Sequence, residues 1–135
     1  MARRNIGKPG QPPIYRAAER LLQWATPVID SLPKSLAMQT MGGAVIRNLL
    51  DALLLIQMAT CAASRDEKMQ CIKALIAALN AVRTTMRIFA QRRAISLRQE
   101  ASYIDLQLPL LNQAEAWLTK WAQQDDGSAV AGLQL

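Results

Sequence analysis

From Ile14 onward the chain sets apolar residues three and four positions apart, the period of helices that each turn one face to a core. Ala18, Leu21, Leu22, Ala25, Val28 and Ile29 mark the first such helix, from about 14 to 31. Pro27 lies inside it and removes a backbone donor, which predicts a kink or an early end. Leu32-Pro33-Lys34 makes a turn, and Ser35 is placed to cap a second helix over about 36–63. Gly42-Gly43 falls in its first half as a weak point or a site of close helix approach. Ser64-Arg65-Asp66-Glu67 has the S-x-x-E form in which Ser and Glu satisfy each other's free amides, so a third helix spans about 65–93. Ser96-Leu97-Arg98-Gln99 repeats the device and opens a fourth, over about 97–124. Pro109 bends that helix rather than ending it, because Leu110, Leu111, Ala114, Trp117, Leu118 and Trp121 continue the apolar pattern.

Four helices, one apolar stripe each, joined by short connections, predict an all-α domain: an antiparallel up-down-up-down four-helix bundle. The composition agrees, since Ala, Leu, Gln, Arg and Met dominate and β-branched residues are too scattered for strands. A chain of 135 residues fits one domain. Residues 1–13, with three prolines, two glycines, Arg3, Arg4 and Lys8, read as a disordered basic arm. Residues 125–135 read as a flexible tail. No apolar run follows the N-terminal charges, so that stretch is not a signal peptide. The segment LLDALLLIQMATCAA carries Asp51 and Gln57 and is short for a bilayer, so a buried helix is expected, in a soluble intracellular protein with no membrane partner.

Charge changes this picture. The formal net charge is +6 and the pI about 9.9, which favours a polyanionic partner. The chain has no histidine, hence no imidazole base, no Ser-His or Cys-His pair and no histidine metal site. Cys61 and Cys71 fit no zinc spacing and read as reduced, small apolar side chains. No phosphate-binding glycine loop and no carboxylate pair is present, so no enzyme activity, cofactor, metal or small-molecule substrate is expected.

What stands out is RTTMRIFAQRRA, residues 83–94, with four arginines and no acid; no Asp or Glu lies between Glu67 and Glu100. At 100° per residue Leu75, Leu79, Val82, Met86 and Phe89 share the core sector of the third helix. Lys73, Arg83, Arg87 and Gln91 share an adjacent sector about 80° wide. Arg92 and Arg93, with Arg98 after them, cluster at the following turn, where a helix C-terminus favours cations. Arg83 and Arg87 lie too far inside for that. Their charge is met either by a guest anion or by acids on other helices such as Asp51, Asp105 or Glu115. Asp51, deep in its apolar run, reads either as a buried functional carboxylate or, the preferred reading, as the partner of an arginine from a neighbouring helix. Phe89 falls on the core sector and the tryptophans sit elsewhere, so no aromatic residue is placed to stack on bases, and contact with nucleic acid would be to phosphates. Trp117 and Trp121 read as core or as an oligomer anchor. Surplus apolar surface on the first and last helices permits association.

The helix-three segment LNAVRTTMRIFA, with its L-x-x-V-R-x-x-M-R-x-F-A order, resembles the accessory variability determinant family of diversity-generating retroelements. That family belongs to a wider group of four-helix-bundle proteins, which includes those encoded in intervening sequences of bacterial 23S rRNA genes. TPVIDSLPKS is similar to the family's Pro-x-x-x-Ser-hydrophobic-Pro-basic element, and Ala116-Trp117-Leu118-Thr119-Lys120 to its small-Trp-Ile-x-Arg ending, so residues 14 to 122 are covered. The resemblance implies a non-catalytic homopentameric barrel in a bacterial cytoplasm, encoded by the bacterium or its phage. It would bind a reverse transcriptase and template RNA, or DNA, and support adenine-mutagenic cDNA synthesis. Arg83 and Arg87 would carry those contacts, with Lys73, Arg92, Arg93 and Lys120 contributing. The alternative is a self-associating structural bundle of the intervening-sequence type with no nucleic-acid role.

Overall fold

The structure, a computed structural model, describes residues 12–134, with side chains as far as Gln124. The N-terminal part of the expected basic arm, residues 1–11, lies outside the described residues. Pro12 and Pro13 open α1 (Pro13–Asp30), since proline's fixed φ suits a first helical turn and its missing N–H has no partner there anyway. Pro27 does not stop α1. It falls in the last turn, where Ser31 N–H still closes on the Pro27 carbonyl at 3.2 Å.

Ser35 caps α2 (Leu36–Cys61), its hydroxyl accepting from Met38 N–H at 3.1 Å. Ala62 then turns extended (φ −64°, ψ 143°), so α2 ends slightly before the expected residue 63. Both arms of the capping box at α3 (Arg65–Gln91) are formed: Glu67 N–H donates to Ser64 Oγ at 3.1 Å and Ser64 N–H to Glu67 Oε1 at 3.2 Å. α4 (Leu97–Gln134) opens the same way, with Gln99 N–H on Ser96 Oγ at 3.0 Å and Ser96 N–H on Gln99 Oε1 at 2.8 Å. Pro109 does not interrupt α4, and Leu110 and Ala114 beyond it stay buried. The backbone remains helical through Gln134, past the end expected near Gln124. Ala, Val, Leu and Gln tolerate helix there and residues 125–134 hold no proline, so Gly127 and Gly132 do not break it.

The described residues form four helices and no strand. Each helix packs on its chain neighbours, and α1 also packs on α4, which closes a four-cornered bundle. The core is the sum of the four stripes. Leu21 and Ala25 of α1, Leu49 and Ile56 of α2, Leu75, Leu79, Met86 and Phe89 of α3, and Tyr103 and Leu110 of α4 are all fully buried.

Of the two adjacent glycines in α2, only Gly42 meets its neighbours within the chain. A Cβ there would lie 2.9 Å from Leu32 Cδ1 and 3.0 Å from Ile29 Cγ2, whereas one on Gly43 would meet nothing within 4 Å. Gly42→Leu should therefore lower unfolding stability by about 1–3 kcal/mol through overpacking, measured by urea denaturation.

Candidate nucleic-acid interface

The spacing of apolar residues on α3 decides where its cations go. Leu75, Leu79, Val82, Met86 and Phe89 are buried as expected. Lys73, Arg83 and Arg87 are exposed on the flank, and so are Arg92, Arg93 and Arg98 at the turn that follows. Among the described residues none of these six forms an ion pair with a carboxylate. Asp105 and Glu115, weighed as neutralising partners, are exposed on α4 without such a pair. Lys120 is also exposed on α4, but nothing in the structure joins it to the arginines of α3.

Asp51 corrects an expectation. It is neither buried nor paired with a described arginine. Two residues past the buried Leu49 the helix has turned by about 200°, which carries Asp51 to the outer side of α2.

Arg83 has one interior relation. The Tyr103 hydroxyl reaches across from α4 and donates to the Leu79 carbonyl at 3.1 Å, one turn before Arg83. Burial pushes this hydroxyl well above its ordinary pKa of 10.0, and the nearby Arg83 guanidinium works against that rise. Trp24 of α1 lies against the same ring, with centroids 6.2 Å apart and planes tilted by 43°. The base of the cationic flank is thus held by packing from two other helices.

The turn after α3 has a feature the sequence did not suggest. Arg93 has φ 60°, the left-handed region that usually takes glycine at a helix C-terminus. Ala94 N–H donates back to the Phe89 carbonyl at 2.8 Å and Arg93 N–H to the Ala90 carbonyl at 3.0 Å, closing the helix end. A depression of about 440 Å³ adjoins it, lined by Gln91, Arg93, Ile95, Ser96 and Gln99 among others. Two cations not singled out from the sequence, Arg16 and Arg20, line a cleft of about 270 Å³ between α1 and α4 with Gln113 and Pro109. Their i, i+4 spacing was the available signal.

The described residues contain no group of three or more Cys, Asp or Glu placed to hold a metal ion. Cys61 is exposed, Cys71 half-buried, and both are free thiols. Trp117 and Trp121 are half-buried with ring centroids 5.5 Å apart, on the stretch of α4 beyond Pro109. What this surface can do chemically is bind anions. It presents guanidinium and ammonium groups, and Tyr103, the ring near Arg83, is buried, so phosphates rather than bases are its natural ligands. No family model, no curated protein and no solved structure matches this chain.

Arg93→Gly should raise unfolding stability by about 1 kcal/mol, because glycine adopts the left-handed conformation without the Cβ clash; thermal denaturation checks it. Tyr103 adds a pH dependence. Its folded-state pKa lies above the unfolded value, so its contribution to stability is complete below pH 10 and is lost as pH rises beyond it. Tyr103→Phe should abolish that part of the alkaline loss, at most roughly 1.4 kcal/mol per pH unit, while lowering neutral-pH stability by about 1 kcal/mol.

Proposed function

We propose that this protein is a non-catalytic accessory factor that binds nucleic acid, and the polymerase acting on it, through the basic flank of α3. The observation that carries the proposal is the exposure of Arg83 and Arg87, one turn apart and without a carboxylate partner among the described residues. Their mutual repulsion costs about 0.2–0.5 kcal/mol, which a phosphate between them relieves. Arg92, Arg93 and Arg98 prolong the positive surface around the end of α3 and the turn. A polyanion held this way is gripped by its backbone, with strong salt dependence and little sequence preference.

The resemblance of LNAVRTTMRIFA makes the assignment narrower. The reading is an accessory variability determinant of a diversity-generating retroelement. It acts with a reverse transcriptase on template RNA in the cytoplasm of a bacterium, and supports mutagenic cDNA synthesis. The helices are taken as up-down-up-down. Contacts supporting this are the Trp24–Tyr103 pair near one end of α1 and the hydrogen bond from Gln57 Nε2 to Tyr15 Oη near the other (3.4 Å). The homopentameric barrel comes with the family reading.

A second reading is a structural, self-associating bundle with no nucleic-acid role. The apolar residues exposed on α2 favour it, although they do not explain uncompensated arginines on α3.

Substituting both Arg83 and Arg87 with Ala separates the two. Surface changes of this kind leave unfolding stability within about 0.5 kcal/mol, apart from the loss of Arg83's influence on Tyr103. Binding to single-stranded RNA, followed by fluorescence anisotropy over a salt series, should weaken strongly, and the log–log salt slope should fall by about 1.4, some 0.7 per lost phosphate contact. Unchanged affinity and slope would remove this surface as the binding site.

A further inference from the structure

The outer side of α2 resembles a buried surface more than an exposed one. Leu36, Leu50, Leu54 and Met58 are 85%, 51%, 53% and 48% exposed. With Gly43, Arg47 and Cys61 they fall in one sector about 80° wide, opposite the stripe of Val45, Leu49 and Ile56 that enters the core. By length and composition α2 is also the one described helix apolar enough to cross a membrane. Large apolar side chains gathered on one outer helix face in this way mark a contact site.

Gly43 is a second, independent observation. Mid-helix glycine weakens a helix, and Gly42 beside it has a reason in Leu32 and Ile29. Gly43 faces open space, so nothing inside the chain requires its small size. A helix surface that gives up its side chain at one point and thrusts out leucines at another suits close approach by a second helix.

We infer that the occupant is α2 of a second copy of this chain, the two helices running in opposite directions about a two-fold axis. The order of residues along the stripe is self-complementary in that arrangement. With Gly43 of one copy under Leu54 of the other, Leu36 reaches the other copy's Cys61, and Thr40 meets its Gln57 and Met58. Arg47 meets Leu50 and Asp51. Leu54 faces Gly43, Leu36 faces Cys61 and Met58 faces Thr40, each a smaller residue, while Arg47 lies along Leu50 with its charge beside Asp51, in an isologous contact. A lipid surface suits the stripe less well, because Asp51 borders it and the chain's cations gather on α3 and the turn that follows. Residues 1–11 carry three cations and few apolar side chains, so they match it poorly too. This contact involves none of the arginines of α3 and stands or falls separately from the nucleic-acid reading.

The test uses the full chain. Sedimentation equilibrium should give a mass that is an even multiple of the protomer, which for the five-membered ring of the family reading means two rings joined by this contact. Leu54→Glu should raise the dissociation constant of that pairing at least tenfold while leaving the helical circular dichroism unchanged. Arg47→Asp alone should weaken pairing, and Arg47→Asp with Asp51→Arg should recover most of it. Leu36→Cys, under mild oxidation, should give a covalent pair through native Cys61 that vanishes when Cys61→Ser is added. An odd-numbered assembly indifferent to Leu54→Glu, or a paired species that never forms the Leu36→Cys cross-link, overturns the proposal. Leu54→Glu affecting only binding to lipid vesicles, with mass unchanged, overturns it in favour of a membrane.

Discussion

Burial of one apolar seam on α3 is the constraint from which the other features follow. Leu75, Leu79, Val82, Met86 and Phe89 recur every three or four residues and all lie fully inside. Fixing that seam against the core fixes the rotation of the helix about its axis, and hence the direction of every other side chain on it. Arg83 and Arg87 are displaced from the seam by less than a quarter turn. They emerge beside the packing surface rather than opposite it, and Arg83 falls within electrostatic reach of the Tyr103 hydroxyl. A helix held this firmly at the base of its arginines needs no backbone ordering to present them.

Two surfaces of opposite chemistry result, on different helices. The flank and end of α3 are cationic, while the outer side of α2 is apolar with a single Arg and Asp set among its leucines. Keeping them apart has a physical logic. An apolar patch inside a field of like charge would bring those charges together when it closed on a copy of itself. On α2 that repulsion is small.

Much of this was legible in the sequence because it depends on local rules. Capping signals at Ser35, Ser64 and Ser96 located three helix starts, and the period of apolar residues identified the core face of α3. The misses came from competition between local rules or from more than one apolar face. Pro27 predicts a kink or an early end, yet α1 runs on to Asp30 despite the loss of the proline's own N–H bond. Apolar neighbours predict a buried Asp51, but it is exposed. Leu49, Leu50, Leu53, Leu54 and Leu55 in fact point all around α2, and one helix face cannot bury them all. That excess is the sequence's sign of the exposed stripe, which lies on α2 and not on the first and last helices where surplus apolar surface is expected. Leu97 and Leu108 on α4 are exposed, yet no large apolar residue of α1 is. The left-handed backbone of Arg93 had no signal, since glycine is absent where the conformation calls for it.

The tilted stack of Trp24 on Tyr103 has a further meaning. Its indole touches the ring whose hydroxyl is anchored on the Leu79 carbonyl, and that ring lies in the field of Arg83. An optical label is thus wired through two side chains to the cationic flank, whereas the other two indoles sit together on the far stretch of α4. The molecule carries an emission probe two side chains away from its cationic flank.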